Sequence, residues 1–74
     1  MRVANTVELG AAIRARRRER GLTQAELAGL CGVSVRFVSE VERGRPTAGV
    51  ALVLRLCARL GLDVQLVARD EGTR

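Results

Sequence analysis

Arg36, Ser39, Glu40 and Arg43 recur at helical spacing within the stretch VRFVSEVER. On a helix of about 3.6 residues per turn these four share one side, and Phe37, Val38 and Val41 take the other. The polar side carries directed donors. A guanidinium such as that of Arg36 offers two donors that match guanine O6 and N7, a pairing worth ~1 to 3 kcal/mol of discrimination between bases. Val35, immediately upstream, suits the methyl group of thymine. Glu40 is open to three roles: accepting from cytosine N4, steering Arg36 or Arg43, or standing as a solvated helix charge.

The overall charge agrees with a polyanionic partner. All basic residues are arginine, 13 against 8 acids, for a net charge of +5 and a pI near 11.3. Charge of this kind speaks to association and not to fold. An enzyme is hard to build from the same residues. There is no histidine base, no glycine-rich phosphate loop and no paired-carboxylate cleft, and neither Cys31 nor Cys57 has an activating partner in sequence. Two cysteines without histidine spell out neither a disulfide framework nor a zinc cluster, so no metal and no cofactor is expected. Both cysteines fall on apolar stripes and read as small core residues. The longest apolar run, AGVALVL, is too short to span a bilayer and meets Arg55 at once. No signal peptide is evident, so the cytoplasm, with reduced thiols, is the expected compartment.

Short helices must hold these side chains. With 74 residues and no internal linker or repeat, residues 1–74 are expected to form a single domain. Asn5 followed by Glu8 suggests a capping box opening a first helix, which runs through Leu9 and Ile13 to Arg20 and stops at Gly21. Thr23 with Glu26 is a second capping box, and the helix behind it carries Leu27, Leu30 and Cys31 before Gly32. Ser34 caps a third helix. Ala28 permits close helix approach and Gly32 permits a left-handed turn, which together define a helix-turn-helix over 23–43. Thr47 is expected to cap a fourth helix with the stripe Val50, Val53, Leu54, Cys57 and Leu60, closed by Gly61. Leu52 and Leu56 lie off that stripe, covering either a dimer seam or the tail.

Beyond Gly61 the period changes to two: Leu62, Val64, Leu66 and Ala68 alternate with Asp63, Gln65, Val67 and Arg69. A strand over 62–69 is expected. One chain gives it no partner, so the simplest solution is the same segment of a second copy. An antiparallel pair centred on Leu66 sets Asp63 opposite Arg69 of the mate, a favourable cross-strand charge pair.

The segment GLTQAELAGLCGVSVRFVSEVERGRP resembles the core of the Cro/repressor-type, or xenobiotic-response-element, helix-turn-helix family. The likeness runs from about Ile13 to Leu60 and includes the LTQ-x-ELA opening, the GVS turn and the ERG ending. It implies an all-α fold of four to five helices whose third helix enters the major groove of double-stranded DNA. Carried onto this chain, the base readers are Val35, Arg36, Ser39 and Glu40. Gln24 would hold a phosphate and brace the reading helix, with Arg43 and Arg45 adding backbone contacts. Thr23 and Ser34, the two caps, complete the DNA-binding set. The family also pairs an arginine of the first helix with the glutamate ending the third, here Arg17 and Glu42, although Arg17 also fits a surface position in RARRRER.

A short chain ending in LGLDVQLVARD resembles the HipB-like antitoxins within that family. The resemblance implies a homodimer joined through its tails, a near-palindromic operator, repression of the protein's own operon and a HipA-like kinase toxin as partner. The alternative is a protein-interaction module, a toxin-neutralising antitoxin whose DNA binding is secondary or lost.

Overall fold

The computed structural model describes residues 2–45 and 49–70. Within them lie four helices: α1 (Thr6–Glu19), α2 (Gln24–Cys31), α3 (Val35–Glu42) and α4 (Val50–Arg59). The expected cap at Thr47 falls outside the described residues. Gly49 is the residue preceding α4, and it supplies no side-chain cap.

The starts of α1, α2 and α3 are each fixed by a short polar side chain taking up an otherwise orphaned backbone donor. Asn5 accepts from the Glu8 amide at 2.9 Å, but the Glu8 carboxylate reaches past Asn5 to the amide of Ala4 at 2.7 Å. The first capping box is therefore displaced by one residue. At α2 the box is complete, with Thr23 accepting from Glu26 N at 3.0 Å and Glu26 accepting from Thr23 N at 2.8 Å. Ser34 accepts from Phe37 N at 3.0 Å. Between α2 and α3, Gly32 adopts φ 69, a left-handed turn that a side chain with a Cβ would resist.

Ile13, Leu27, Val38, Leu56 and Leu60 are fully buried, and Ala28, Cys31, Val41 and Cys57 join them in one cluster that draws on all four helices. Burying each large side chain contributes about 1.5 to 3 kcal/mol before ordering costs. The cluster lies beneath α3 and turns that helix's other side to solvent.

Three sequence expectations change. Leu30 and Leu54, placed on apolar stripes, are 49% and 45% exposed, and Val50 is exposed as well. Leu56, placed off the stripe, is fully buried. The helix α4 is apolar around most of its circumference, so its packing against α2, and not its own periodicity, selects the inner face. Finally, residues 62–69 carry no strand assignment in the single chain. Leu62 donates its amide to the Cys57 carbonyl at 2.8 Å and packs on the core, whereas Leu66 is 97% exposed. A strand is defined by its ladder partner, and a lone chain provides none.

Arginine also closes helix ends. The Nε of Arg16 donates to the Leu60 carbonyl at 2.8 Å and Arg55 donates to the Cys31 carbonyl at 3.0 Å, so the C-termini of α4 and α2 each receive a cation where the helix dipole favours one.

Candidate nucleic-acid interface

The outward side of α3 is held from below by a buried ion pair. Arg17 on α1 donates through Nε to Glu42 Oε2 at 2.6 Å and through Nη2 to Glu42 Oε1 at 3.0 Å. Its third nitrogen donates to the Leu22 carbonyl at 2.7 Å, and Gln24 Nε2 donates to Glu42 Oε1 at 3.0 Å. Side-chain exposures of 9% and 2% place the pair in the interior. Burial by itself pushes the Glu42 carboxyl upward, but the hydrogen bonds from Arg17 and Gln24, with the charges of Arg17 and Arg14, hold it below the usual carboxylate range. The hydrogen bond to Glu42 raises Arg17 against the opposing effect of burial. One carboxylate thus ties α1, the start of α2 and the end of α3 together. Arg17 points inward, and the pairing with Glu42 is formed.

Glycines let the helices come this close. A Cβ on Gly10 would collide with the Val41 carbonyl and lie 2.7 Å from that of Glu42. Gly44 adopts φ +78, where a Cβ would lie 2.6 Å from Val7 Cα. The hydroxyl of Thr6 donates to the Gly44 carbonyl at 2.7 Å. The first helix is therefore pressed directly on the end of α3. Neither glycine was among the residues picked out by sequence, although a glycine inside a helix, at a cost near 1 kcal/mol against alanine, is itself a sign of close packing.

On this frame the candidate readers take clear positions. Arg36 has 86% of its side chain exposed and its Nε lies 3.5 Å from Glu40 Oε2, a weak i,i+4 contact that favours the steering role for Glu40. Val35 is 46% exposed at the first position of α3. Ser39 and Glu40 are half-buried, and Arg43, the C-cap, is exposed. Thr23 and Ser34 spend their hydroxyls on the caps described above. Gln24 braces Glu42 directly, as the bracing half of its expected role requires.

Arg45 stands apart from this group. It borders a separate apolar groove of about 270 Å³ formed with Thr6, Leu9, Val50, Leu54 and Val64. Of the four tail residues expected at a dimer contact, Leu62 packs on its own core, Val64 lines that groove, and Leu66 and Ala68 are exposed.

Among the described residues, no group of three or more His, Cys, Asp or Glu is placed to hold a metal ion, and no helix is long and apolar enough to cross a membrane. Cys31 and Cys57 are buried free thiols. Burial pushes both upward, against partial opposition from Arg59 and Arg55 at Cys31 and from a backbone hydrogen bond at Cys57, which leaves them poor nucleophiles at neutral pH.

A capped pair of helices joined by a left-handed glycine, with a polar face turned outward, is the helix-turn-helix arrangement. Residues 8–69 match the sequence description of a helix-turn-helix domain, and the chain belongs to that family. It is 39% identical over 70 residues to an uncharacterized HTH-type transcriptional regulator, y4mF, of Sinorhizobium fredii, covering 95% of this chain and 92% of the relative. The clp gene regulator ClgR from C. glutamicum superposes with a TM-score of 0.68 at 43% identity, over 76% of this chain and 72% of that one. A chain of the HipA-HipB-O2-O3 complex superposes with a TM-score of 0.82 over 92% of this chain and 96% of its own length; at 22% identity it is a likeness of fold.

Proposed function

We propose that two copies of this helix-turn-helix transcriptional regulator bind a near-palindromic DNA operator, one α3 in each half-site, and repress the operon that encodes them. The observation that carries this is the outward face of α3, with Arg36 86% exposed above a helix locked from beneath. An exposed guanidinium on a rigid helix is suited to bidentate contact with guanine. Arg36, Val35 and Ser39 read bases, with Glu40 orienting Arg36. Gln24, Arg43 and Arg45 contact phosphates. The protein acts by binding and not by catalysis, in the cytoplasm.

The dimer forms through residues 62–69. Supporting this, Val64, Leu66 and Val67 are 55%, 97% and 71% exposed in the single chain, beside the apolar groove that Val50 and Leu54 help to form. Pairing two tails would satisfy their open backbone edges and cover these side chains. A HipA-like kinase toxin is the partner that the tail resemblance suggests, which makes the protein the antitoxin of such a pair.

Gel-shift titrations on its own promoter at several salt concentrations test the division of labour. Arg36→Ala should weaken the operator by roughly 5- to 150-fold while leaving random DNA nearly unchanged. Arg45→Ala should weaken both alike and lower the salt slope by about 1. Identical behaviour of the two variants would show that α3 does not read sequence.

A further inference from the structure

Beside the reading face lies a polar recess of about 390 Å³ lined by Arg14, Arg17 and Arg18 of α1, Gln24 of α2, and Ser39, Glu42 and Arg43 of α3. Its floor is electrically closed. Both Glu42 oxygens are taken by Arg17 and Gln24, and the three donor nitrogens of Arg17 are taken by Glu42 and Leu22. The rim is not. Arg14, Arg18 and Arg43 are exposed, and none of them has a side-chain hydrogen bond or ion pair among the described residues. Three guanidinium groups without an ion-pair partner among the described residues therefore surround a neutral pair.

The recess has a defined relation to α3. Around the helix from Arg43, Ser39 follows by roughly 40° and Glu42 by a further 60° or so in the same sense, whereas Glu40 lies to the other side. The cationic recess is thus one flank of the reading face and the acid marks the opposite flank. The major groove is about 12 Å wide and an α-helix with its side chains fills about 10 to 12 Å, so a helix seated there has a phosphate wall along each flank.

We infer that this recess is a phosphate-binding site built jointly by α1 and α3, with Arg14 and Arg18 as additional DNA-backbone contacts beside Arg43. It takes a phosphodiester of the strand flanking the base pairs that α3 reads, and so rests on the proposed DNA binding. Arg14 and Arg18 occupy neighbouring turns of α1, one i,i+4 step apart, and line the recess together with Ser39 of α3 and its C-cap Arg43. Guanidinium forks match phosphate oxygens in pairs, and removing such contacts changes affinity without changing sequence preference. The first helix, otherwise a support, becomes part of the electrostatic footprint.

The test compares wild type, the double variant Arg14→Gln/Arg18→Gln and a control of equal charge loss, Arg20→Gln/Arg59→Gln, whose exposed arginines do not line the recess. Circular dichroism establishes that each is folded. Binding to a random-sequence duplex and to the promoter is then measured across salt concentrations. The recess variant should lower the slope of log K against log salt by about 1 to 2, equally on both duplexes, and weaken both by roughly tenfold or more near 0.1 M salt. The control should change the slope by less than half as much. Equal slopes for recess variant and control would overturn the assignment. A second arm titrates inorganic phosphate and pyrophosphate by NMR: saturable millimolar binding lost in the recess variant, with DNA slopes unchanged, would assign the recess to a free anion and overturn the backbone contact. Absence of DNA binding by wild type would instead refute the proposed function itself.

Discussion

Replacing Glu42 with glutamine removes one charge from the interior and almost no volume. In the parent protein the carboxylate accepts from Arg17 at 2.6 and 3.0 Å and from Gln24 at 3.0 Å, with 2% of its side chain exposed. The amide can accept at one position only, so the guanidinium of Arg17 is left charged, buried and half-partnered. Breaking a buried pair from one side costs about 3 to 5 kcal/mol. A 74-residue domain has about 4 to 11 kcal/mol in total, so Glu42→Gln should remove a large share of the stability and, at the lower end of that range, bring the protein to its unfolding midpoint at 25 °C. In a thermal melt this amounts to a drop of roughly 12 to 40 °C. Urea and thermal unfolding followed by circular dichroism measure it. Arg17→Met/Glu42→Leu, which removes both charges, should recover most of the loss, because no uncompensated ion remains. The pH dependence carries a second signature. Glu42 titrates lower in the folded than in the unfolded chain, so its contribution is complete above the unfolded value of about 4.3 and is lost as pH falls through the folded one. Glu42→Gln should lack that acid slope. A variant within about 1 kcal/mol of the parent, with an unaltered acid slope, would refute the locking role of this pair.

Two further outcomes follow from other contacts. Gly10→Ala should destabilise by about 1 to 3 kcal/mol in urea melts, despite alanine's better helix propensity, because its Cβ meets the backbone of α3 at Val41 and Glu42. Asp63→Arg should weaken dimerisation in sedimentation equilibrium by setting like charges opposite Arg69 of the mate, and restoring the pair with Arg69→Asp should recover it.

Local chemistry made the helix-turn-helix legible. Thr23, Ser34 and Gly32 each satisfy or shape a backbone position within four residues, and short-range rules of that kind survive folding unchanged. What was not legible depends on partners distant in the chain. Leu30 and Leu56 exchange roles because the direction in which two helices meet, and not their periodicity, decides which apolar side chain goes inward. Arg16 and Arg55 look like solvated charges in sequence, yet they close the ends of helices 44 and 24 residues away. Arg17 lies one turn beyond Ile13 and so borders the core stripe, but spacing left a surface position in RARRRER equally open, and its partner Glu42 came only from the family resemblance. Residues 62–69 have the rhythm of a strand but lack, in one chain, the second edge that would make one. The polar recess escaped sequence reading because it is assembled from three helices, and no single segment displays it.

In the proposed complex an outward α3 from each of two copies occupies the major groove of one duplex. Hydroxyl-radical footprinting of the protein's own promoter at moderate salt tests it most directly. The expected result is two protected patches about 10 base pairs apart, one helical turn, related by a two-fold axis. A single unpaired patch, or uniform protection that competitor DNA of random sequence removes as readily, would contradict it.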